Sequence, residues 1–381
     1  VYVFILLRFF PITEAAFLTA GMNFSLALIT FIYFTRKQII PCNIPLLVIM
    51  AATCAAVIFG YMNNREWQIT NEQSLYDDPI VYSKTSQYQH IVITHFKPLN
   101  EIRLFLNGNL QLCSTDEVRY HESLVHPAMA LARSRRRVLI LGGGDGCALR
   151  EVLKYPDVDQ ITLVDLDPAI TTLAATHPLL SRLNDHAFDN ARVAILAGPG
   201  ISPGDFRQIY QTPSHRKREP VALRHVAEVR VMNLDADKFL GQVTGRWDVI
   251  IVDMPDPSTP ELTKLYSREF YLKVRHRLAE NGIASVQSTS PYLAKESYLC
   301  IGRTLTAAGF FILPYHENVP SLGDWGWFLC THKAWPDGLG AKRIAQIEFT
   351  VPTRFLTPGV FRRGLVFGKG MNQSRHTEIN T

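Results

Sequence analysis

The chain has 381 residues, with 39 Lys and Arg against 34 Asp and Glu, for a net charge of +5. The basic residues are scattered, so composition makes no case for a nucleic-acid partner, and the length suits an α/β domain with additional elements. Six dispersed cysteines, at positions 42, 54, 113, 147, 300 and 330, include no C-x-x-C pair, which argues against a zinc site or a disulfide framework.

The amino-terminal part differs in kind from the rest. Ala15 to Phe34 is apolar, uncharged and about long enough to cross a bilayer as a helix. Arg36 and Lys37 follow at once, and Leu46 to Met62 is a second, shorter apolar run. Residues 1–62 therefore read as about two transmembrane helices, with Asn23, Ser25 and Thr30 turned toward another helix that meets their hydrogen bonds. A pair of buried helices in a soluble protein is the competing reading. Val1 to Phe10 reads as the tail of an apolar segment, so further sequence is expected upstream, and no small-residue cleavage site follows a basic start. Residues 63–79 form a polar connector.

A small β-rich domain is predicted over 80–135. Tyr88–Phe96 and Ile102–Leu112 are strand-like, and Asn107-Gly108 marks a hairpin turn, because both central residues of a type I′ turn need positive φ. Ser114-Thr115-Asp116-Glu117 offers a capping box for a helix running through Tyr120, His121, Glu122 and Leu124. From Val138 strands and helices alternate. Strands are expected at 138–141, 160–164, 229–234, 248–253, 283–287 and 310–315, and helices after Gly146, Pro168 and Asp235, at 269–279 and at 291–308. This alternation implies an α/β, doubly wound sheet over 136–335, with Trp325–Cys330 as a last antiparallel strand. Residues 196–226, with their AGPGISPGD and HRKREP segments, break the rhythm and read as a solvated insertion. Residues 336–381 form a carboxy-terminal extension, loose after about Lys369.

Three segments carry the chemistry: VLILGGGDG at 138–146, LVDLD at 163–167 and VIIVDMPDP at 249–257. Each is an apolar run ending in glycines or carboxylates, and residues at the carboxyl ends of parallel strands line the ligand crevice. Asp145, Asp165, Asp253 and Asp256 are thereby expected at one mouth. Four acids around a glycine turn suit a polyhydroxylated nucleoside and a cation, and would repel a phosphate. The turn Gly142, Gly143, Gly144, Asp145, Gly146 lacks the third glycine of the dinucleotide fingerprint, since Cys147 stands there. Asp165 lies near the usual spacing of about 20 residues for gripping ribose hydroxyls, while Asp167 better fits a helix cap. Asp235 is placed to accept from an adenine amino group or to cap the helix that follows it. Asp253 and Asp256, so close together, repel each other unless they share a cation.

These residues resemble the polyamine aminopropyltransferases, the spermidine synthase family, from about Tyr88 to Trp327. The likeness rests on Tyr88-Gln89, Asn107-Gly108…Gln111, Asp116-Glu117…Tyr120-His121-Glu122, Gly142–Gly146, Asp165, Asp235-Ala236, Asp253…Asp256-Pro257 and Gln287. With the apolar amino-terminal spans, the chain is similar to the membrane-attached bacterial members. The resemblance implies a Rossmann-like domain behind a small β-domain, decarboxylated S-adenosylmethionine as co-substrate, no tightly bound cofactor, no metal, and an amine acceptor such as putrescine. It implies that Asp165 holds the ribose, Asp235 with Ala236 the adenine, and Asp145 and Gln111, helped by His121, the aminopropyl arm. Asp253 would be the base and Tyr120 its assistant, Asp256 with Gln89 would bind the far end of the diamine, and Gln287 and Trp325 would complete the substrate site. Soluble relatives assemble, so a homo-oligomer is an expectation. Two departures stand out: Pro320 replaces an aromatic residue five positions before Trp325, and Asp165 replaces a commoner Glu. Arg36 and Lys37 alone would put their loop in the cytoplasm, but donor supply favours a cytoplasmic catalytic domain. An S-adenosylmethionine-dependent methyltransferase and a non-catalytic polyamine-binding membrane protein are the alternatives.

Overall fold

The computed structural model describes residues 12–41, 44–189, 193–196, 227–334 and 339–381. They fall into two compact units, Val1–Ile80 and Val81–Thr381. The first holds helices α1 (Ile12–Arg36) and α2 (Ile44–Gln73). Within them Glu14–Arg36 and Ile44–Asn64 have mean hydropathies of 1.8 and 2.2, and only 6% of each apolar window is buried. By length and composition these two stretches are long and apolar enough to cross a membrane. The polar connector expected from residue 63 is helical as far as Gln73, because no Gly or Pro interrupts that stretch. Gln73 then closes the helix end, donating to the carbonyls of Tyr76 and Asp78 and accepting from Ile80 N–H at 2.9 Å. Ser25 and Thr30, expected to need another helix, donate to the carbonyls of Gly21 and Leu26 one turn earlier in their own helix.

The second unit opens with a four-stranded sheet in the order β1-β2-β3-β4, from β1 (Ile80–Thr85), β2 (His90–Phe96), β3 (Glu101–Leu106) and β4 (Asn109–Cys113). Asn107 and Gly108 form the β3–β4 turn with φ of 51° and 79°, the pair of left-handed residues such a turn requires. Helix α3 (Glu117–Leu131) follows. The expected capping box is not made. Asp116 occupies the cap position without bonding its own helix, and its carboxylate instead accepts from the N–H and hydroxyl of Ser321 at 2.6 and 2.8 Å. Distant partners in the fold outcompete the local ones.

An eight-stranded sheet forms the centre, built from β5 (Arg137–Gly142), β6 (Gln160–Asp165), β7 (Val193–Leu196), β8 (Glu228–Asn233), β9 (Trp247–Asp253), β10 (Leu278–Gln287), β11 (Phe311–Val319) and β12 (Gly323–Thr331). Its order is β11-β12-β10-β9-β5-β6-β8-β7, parallel from β10 to β7, with β12 antiparallel to both β10 and β11. The chain winds outward from β5 through β6 to the edge strand β7, steps back to β8, and returns to β9 on the other side of β5. That reversal opens a crevice at the carboxyl ends of β5, β6 and β9. The middle residues of these three strands are fully buried, which explains their near-continuous aliphatic runs. Helices α4 (Cys147–Leu153), α5 (Pro168–Thr176), α6 (Pro178–Leu183), α7 (Ala236–Gln242), α8 (Pro260–Thr263), α9 (Arg268–Arg277) and α10 (Lys295–Ala307) connect the strands. The fold is α/β and Rossmann-like. Helix α9 stops two residues earlier than its apolar pattern suggested, because Leu278 already pairs with Trp247 in the sheet. The AGPGISPGD and HRKREP segments lie outside the described residues.

The carboxy-terminal extension, with α11 (Leu339–Ala345) and α12 (Pro358–Gly364), is fastened to the unit. The buried Glu122 carboxylate accepts from the backbone N–H groups of Arg354, Phe355 and Leu356 at 2.6, 2.9 and 2.7 Å. The tail expected to be loose after Lys369 is docked at its end. Asn380 accepts from Arg268 N–H and donates to Thr304 and to the Thr263 carbonyl.

Candidate active site

The site is assembled on the glycine turn between β5 and α4. Gly142 has φ of 82°, and a Cβ there would stand 2.0 Å from the Asp253 carbonyl oxygen. The Gly143 N–H donates to that same oxygen at 3.1 Å. Glycine is what lets the end of β5 close on the end of β9. Gly144 donates its N–H to Asp165 Oδ2 at 3.0 Å, and a Cβ at 144 would lie 2.6 Å from that oxygen. Gly146, at φ 84°, turns the chain into α4.

Asp165 ends β6 half-buried, its other oxygen accepting from Asp167 N–H at 2.9 Å. Burial pushes its carboxyl up to about 7 against those two backbone donors, and the charges of Asp167 and Asp145 add to the rise. Asp167 caps α5 as anticipated, accepting from Ala169 N–H at 2.9 Å, and also takes the Ser86 hydroxyl at 2.7 Å. Its third donor is the Gln89 side-chain amide, at 3.0 Å. This corrects the pairing of Gln89 with Asp256. Strand β5 separates the β6 end, where Gln89 is fastened, from the β9 end that carries Asp256.

Asp235 acts as the helix cap. Its Oδ1 accepts from Asp237 and Lys238 N–H at 2.9 and 3.3 Å, and its Oδ2 pairs with Lys264 Nζ at 2.8 Å. Burial favours the neutral acid, but Lys264 and the two backbone donors outweigh it and hold the carboxyl below its ordinary value. Ala236 is buried as the first residue of α7.

The end of β9 meets α3. Tyr120, 9% exposed, donates its phenol to Asp253 Oδ1 at 2.7 Å. Burial raises the Asp253 carboxyl to about 6. His121 opposes that rise, Asp145 adds to it, and the Tyr120 hydrogen bond lowers it. His121 Nε2 lies 3.9 Å from Asp145 Oδ1, while its Nδ1 is 2.9 Å from Glu117 Oε2. Burial alone would depress the imidazole, but the Glu117 hydrogen bond and the charges of Asp145, Glu117 and Asp253 raise it to about 9. A buried imidazolium therefore sits among three carboxylates at neutral pH. Glu117 is itself anchored by Arg150, at 3.0 and 2.8 Å to its two oxygens. Gln111, expected beside Asp145, donates instead to the Asn109 carbonyl of its own strand at 3.3 Å.

Asp256 follows β9 half-buried and is held from two sides. Thr289 Oγ1 donates to Oδ2 at 2.9 Å, and the Gln287 amide reaches Oδ1 at 3.3 Å. Burial raises this carboxyl despite both donors. Gln287 also bonds the Met254 carbonyl and the Tyr266 hydroxyl, so it braces the whole Asp253–Asp256 turn. Trp325 stands edge-on to Tyr120, ring centroids 6.3 Å apart, and its indole N–H is buried with no partner among the described residues. Pro320 is exposed.

The sequence reading missed Glu117 and Arg150 as a buried ion pair, and missed Thr289 and Tyr266 entirely. Thr289 has φ of 57°. A β-branched residue in the left-handed region is strained, and such strain collects at functional sites. The signal available was a run of four polar residues, Gln287-Ser288-Thr289-Ser290, closing a buried strand.

Among the described residues, three groups bring possible metal donors within 4.8 Å of one another. In Glu117–His121–Cys147 and Glu122–His126–Glu151 the carboxylates are already matched by Arg150, Lys154 or backbone N–H groups, and burial keeps the Cys147 thiol protonated. In His121–Asp145–Asp253 the imidazolium already supplies the cation.

Comparison with known proteins bears on the family and the fold. The family model described as spermine/spermidine synthase domain matches residues 117–202 and 221–336. A polyamine aminopropyltransferase of Leptospira interrogans is 39% identical over 77% of this chain and 52% of its own length. One from Oceanobacillus iheyensis is 37% identical over 98% of this chain and 64% of its own length. The chain thus spans about half to two thirds of the length of these curated relatives. Among solved structures, a spermidine synthase in complex with the transition state analogue AdoDATO aligns with a TM-score of 0.61. It is 21% identical and covers 77% of this chain and 88% of that one, a likeness of fold. The spermidine synthase of Thermotoga maritima aligns with a TM-score of 0.58 and the same identity, covering 77% of this chain and 87% of its own.

Proposed function

The chain belongs to the spermine/spermidine synthase family, and on that premise we propose that it transfers an aminopropyl group from decarboxylated S-adenosylmethionine to a diamine such as putrescine, giving spermidine and methylthioadenosine. The observation that carries the reading is the pair Asp253 and Asp256. They lie together at the mouth of the crevice, one bonded to Tyr120 and the other braced by Thr289 and Gln287.

In this reading Asp165 accepts the ribose hydroxyls, with Gln89 and Asp167 beside it. The Asp235 cap and Ala236 border the adenine, and the glycine turn lets the nucleoside approach the backbone. Asp256 holds the far ammonium of the diamine, and the near amine faces Asp253. That amine is protonated in water, with a pKa near that of lysine, about 10, and must lose a proton before it attacks. Asp253, ionised above about pH 6, takes the proton, while Tyr120 keeps the carboxylate oriented. The free amine then displaces the sulfonium sulfur from the aminopropyl carbon. A carbon–nitrogen bond forms, a carbon–sulfur bond breaks, and neutral thioether leaves. Alignment of nitrogen, carbon and sulfur supplies up to about 7–11 kcal/mol of the rate gain. Asp145 faces the aminopropyl ammonium and would repel the carboxylate of ordinary S-adenosylmethionine, a like-charge device for choosing the donor.

The two apolar helices attach the protein to a membrane, with the catalytic unit on the cytoplasmic side where adenosyl donors are made. A product assay with decarboxylated donor and a panel of amines tests the activity. Spermidine and methylthioadenosine in equal amounts support it. Movement of a labelled methyl group from intact S-adenosylmethionine, or putrescine binding without turnover, overturns it. Thiol labelling of intact cells tests the topology, and external labelling of a cysteine placed at Thr381 would refute a cytoplasmic catalytic unit.

A further inference from the structure

The amino ends of β9 and β10 carry a second feature, which the proposed reaction does not use. A cavity of 370 Å³ is lined there by Arg246, Arg275, His276, Glu280, His332 and Lys333. Trp247, next to Arg246, is six steps along β9 from Asp253, about 20 Å at the rise of a strand. The cavity is therefore separate from the acidic crevice and opposite to it in charge.

Its charges are not balanced internally. Lys333 pairs with Glu280 at 2.7 Å, which uses the one carboxylate in the lining. Arg275, also in the lining, spends its Nε on the Gly309 carbonyl at 3.1 Å. Among the described residues Arg246 and His276 make no hydrogen bond or ion pair. His332 Nε2 bonds the Leu278 carbonyl at 3.1 Å. Burial, then repulsion from Arg275 and Arg246, lowers its imidazole. Arg277, beside the rim, is lowered by burial and by Arg246. Cations crowded in this way repel each other, and the repulsion is relieved when an anion enters among them.

We propose that this cavity binds a phosphoryl group bearing two or more negative charges, carried either by a soluble phosphate compound or by an anionic phospholipid headgroup. Two guanidinium groups left over after the Lys333–Glu280 pair match a multiply charged oxyanion, because the guanidinium fork binds phosphoryl oxygens bidentately. The volume lies at the lower end of the range for small-molecule sites, enough for a headgroup or a pyrophosphate. The same charge excludes the polyamines that the crevice is built to hold.

The test uses the full chain in neutral detergent and two probes. Inorganic pyrophosphate is titrated calorimetrically, and retention of phosphatidic acid against phosphatidylcholine is read by native mass spectrometry. The comparison is the double variant R246Q/K333Q, whose two sites are exposed, remote from the crevice, and expected to leave unfolding temperature and turnover unchanged. Saturable pyrophosphate binding weakened at least tenfold in the variant, and at high salt, supports a soluble phosphate ligand. Selective retention of phosphatidic acid, lost in the variant, supports a lipid headgroup. Binding of neither probe, or binding indifferent to the double substitution, overturns the proposal.

Discussion

Substituting Tyr120 by Phe isolates one hydrogen bond at the reacting end of the crevice. The phenol donates to Asp253 Oδ1 at 2.7 Å from a nearly buried position, and a bond of that kind to a charged group contributes about 1.5–3 kcal/mol. The bond lowers the Asp253 carboxyl, which burial has raised to about 6, so its loss raises the carboxyl further. A loss of 1.5–3 kcal/mol corresponds to about 1–2 pH units. The base is active when ionised, and the acid limb of kcat/KM is therefore expected near pH 6 in the parent and about 1–2 units higher in Y120F. At pH 6, where the parent base is half ionised, the variant should be slower by about 5- to 50-fold, with the deficit narrowing as pH rises toward 9. The assay is methylthioadenosine release against pH at fixed decarboxylated donor, with unfolding by urea followed in parallel. An acid limb in the same place, with a loss equal at every pH, would refute the argument and leave Tyr120 a steric role.

Asp253→Asn should abolish turnover while methylthioadenosine still binds, as measured by calorimetry; loss of both would mean that Asp253 serves the nucleoside instead. Thr289→Val keeps the side-chain shape but removes the donor to Asp256, so KM for putrescine should rise about tenfold with kcat little changed. An unaltered KM would detach Asp256 from the amine. Glu117→Gln removes the buried anion that Arg150 and His121 share, leaving Arg150 to Glu151 and His121 to Asp145. Breaking such a pair should cost about 3–5 kcal/mol in urea unfolding, and the His121 imidazole, now about 9, should titrate lower by NMR. Glu117 is held down at about 2 from 4.5. Its contribution to stability is complete above pH 4.5 and fades as pH falls toward 2, and E117Q should flatten that part of the acid-unfolding curve.

The acids and glycines of the crevice were legible in the chain because each sits directly after a strand written as a run of buried aliphatics. In a parallel sheet the order of such runs is enough to bring their ends to one edge. The hairpin at Asn107-Gly108, the Asp167 cap and most strand positions were readable for the same reason: their causes are local, a φ sign or a side chain two residues away. What the fold alone decided were choices among partners distant in sequence. Ser114 and Glu117 form a plausible capping box on paper, yet Ser114 accepts from Ile102 N–H and Glu117 goes to Arg150 with His121, since a buried carboxylate gains more from such donors than from a helix end open to water. Gln89 went to Asp167 because strand order interposes β5 between it and Asp256. The docked tail, the backward-turned Thr289 and the cationic cavity at the far end of the sheet join residues tens to hundreds of positions apart. No local pattern marks them, because the free energy that places them comes from burial shared across the whole sheet.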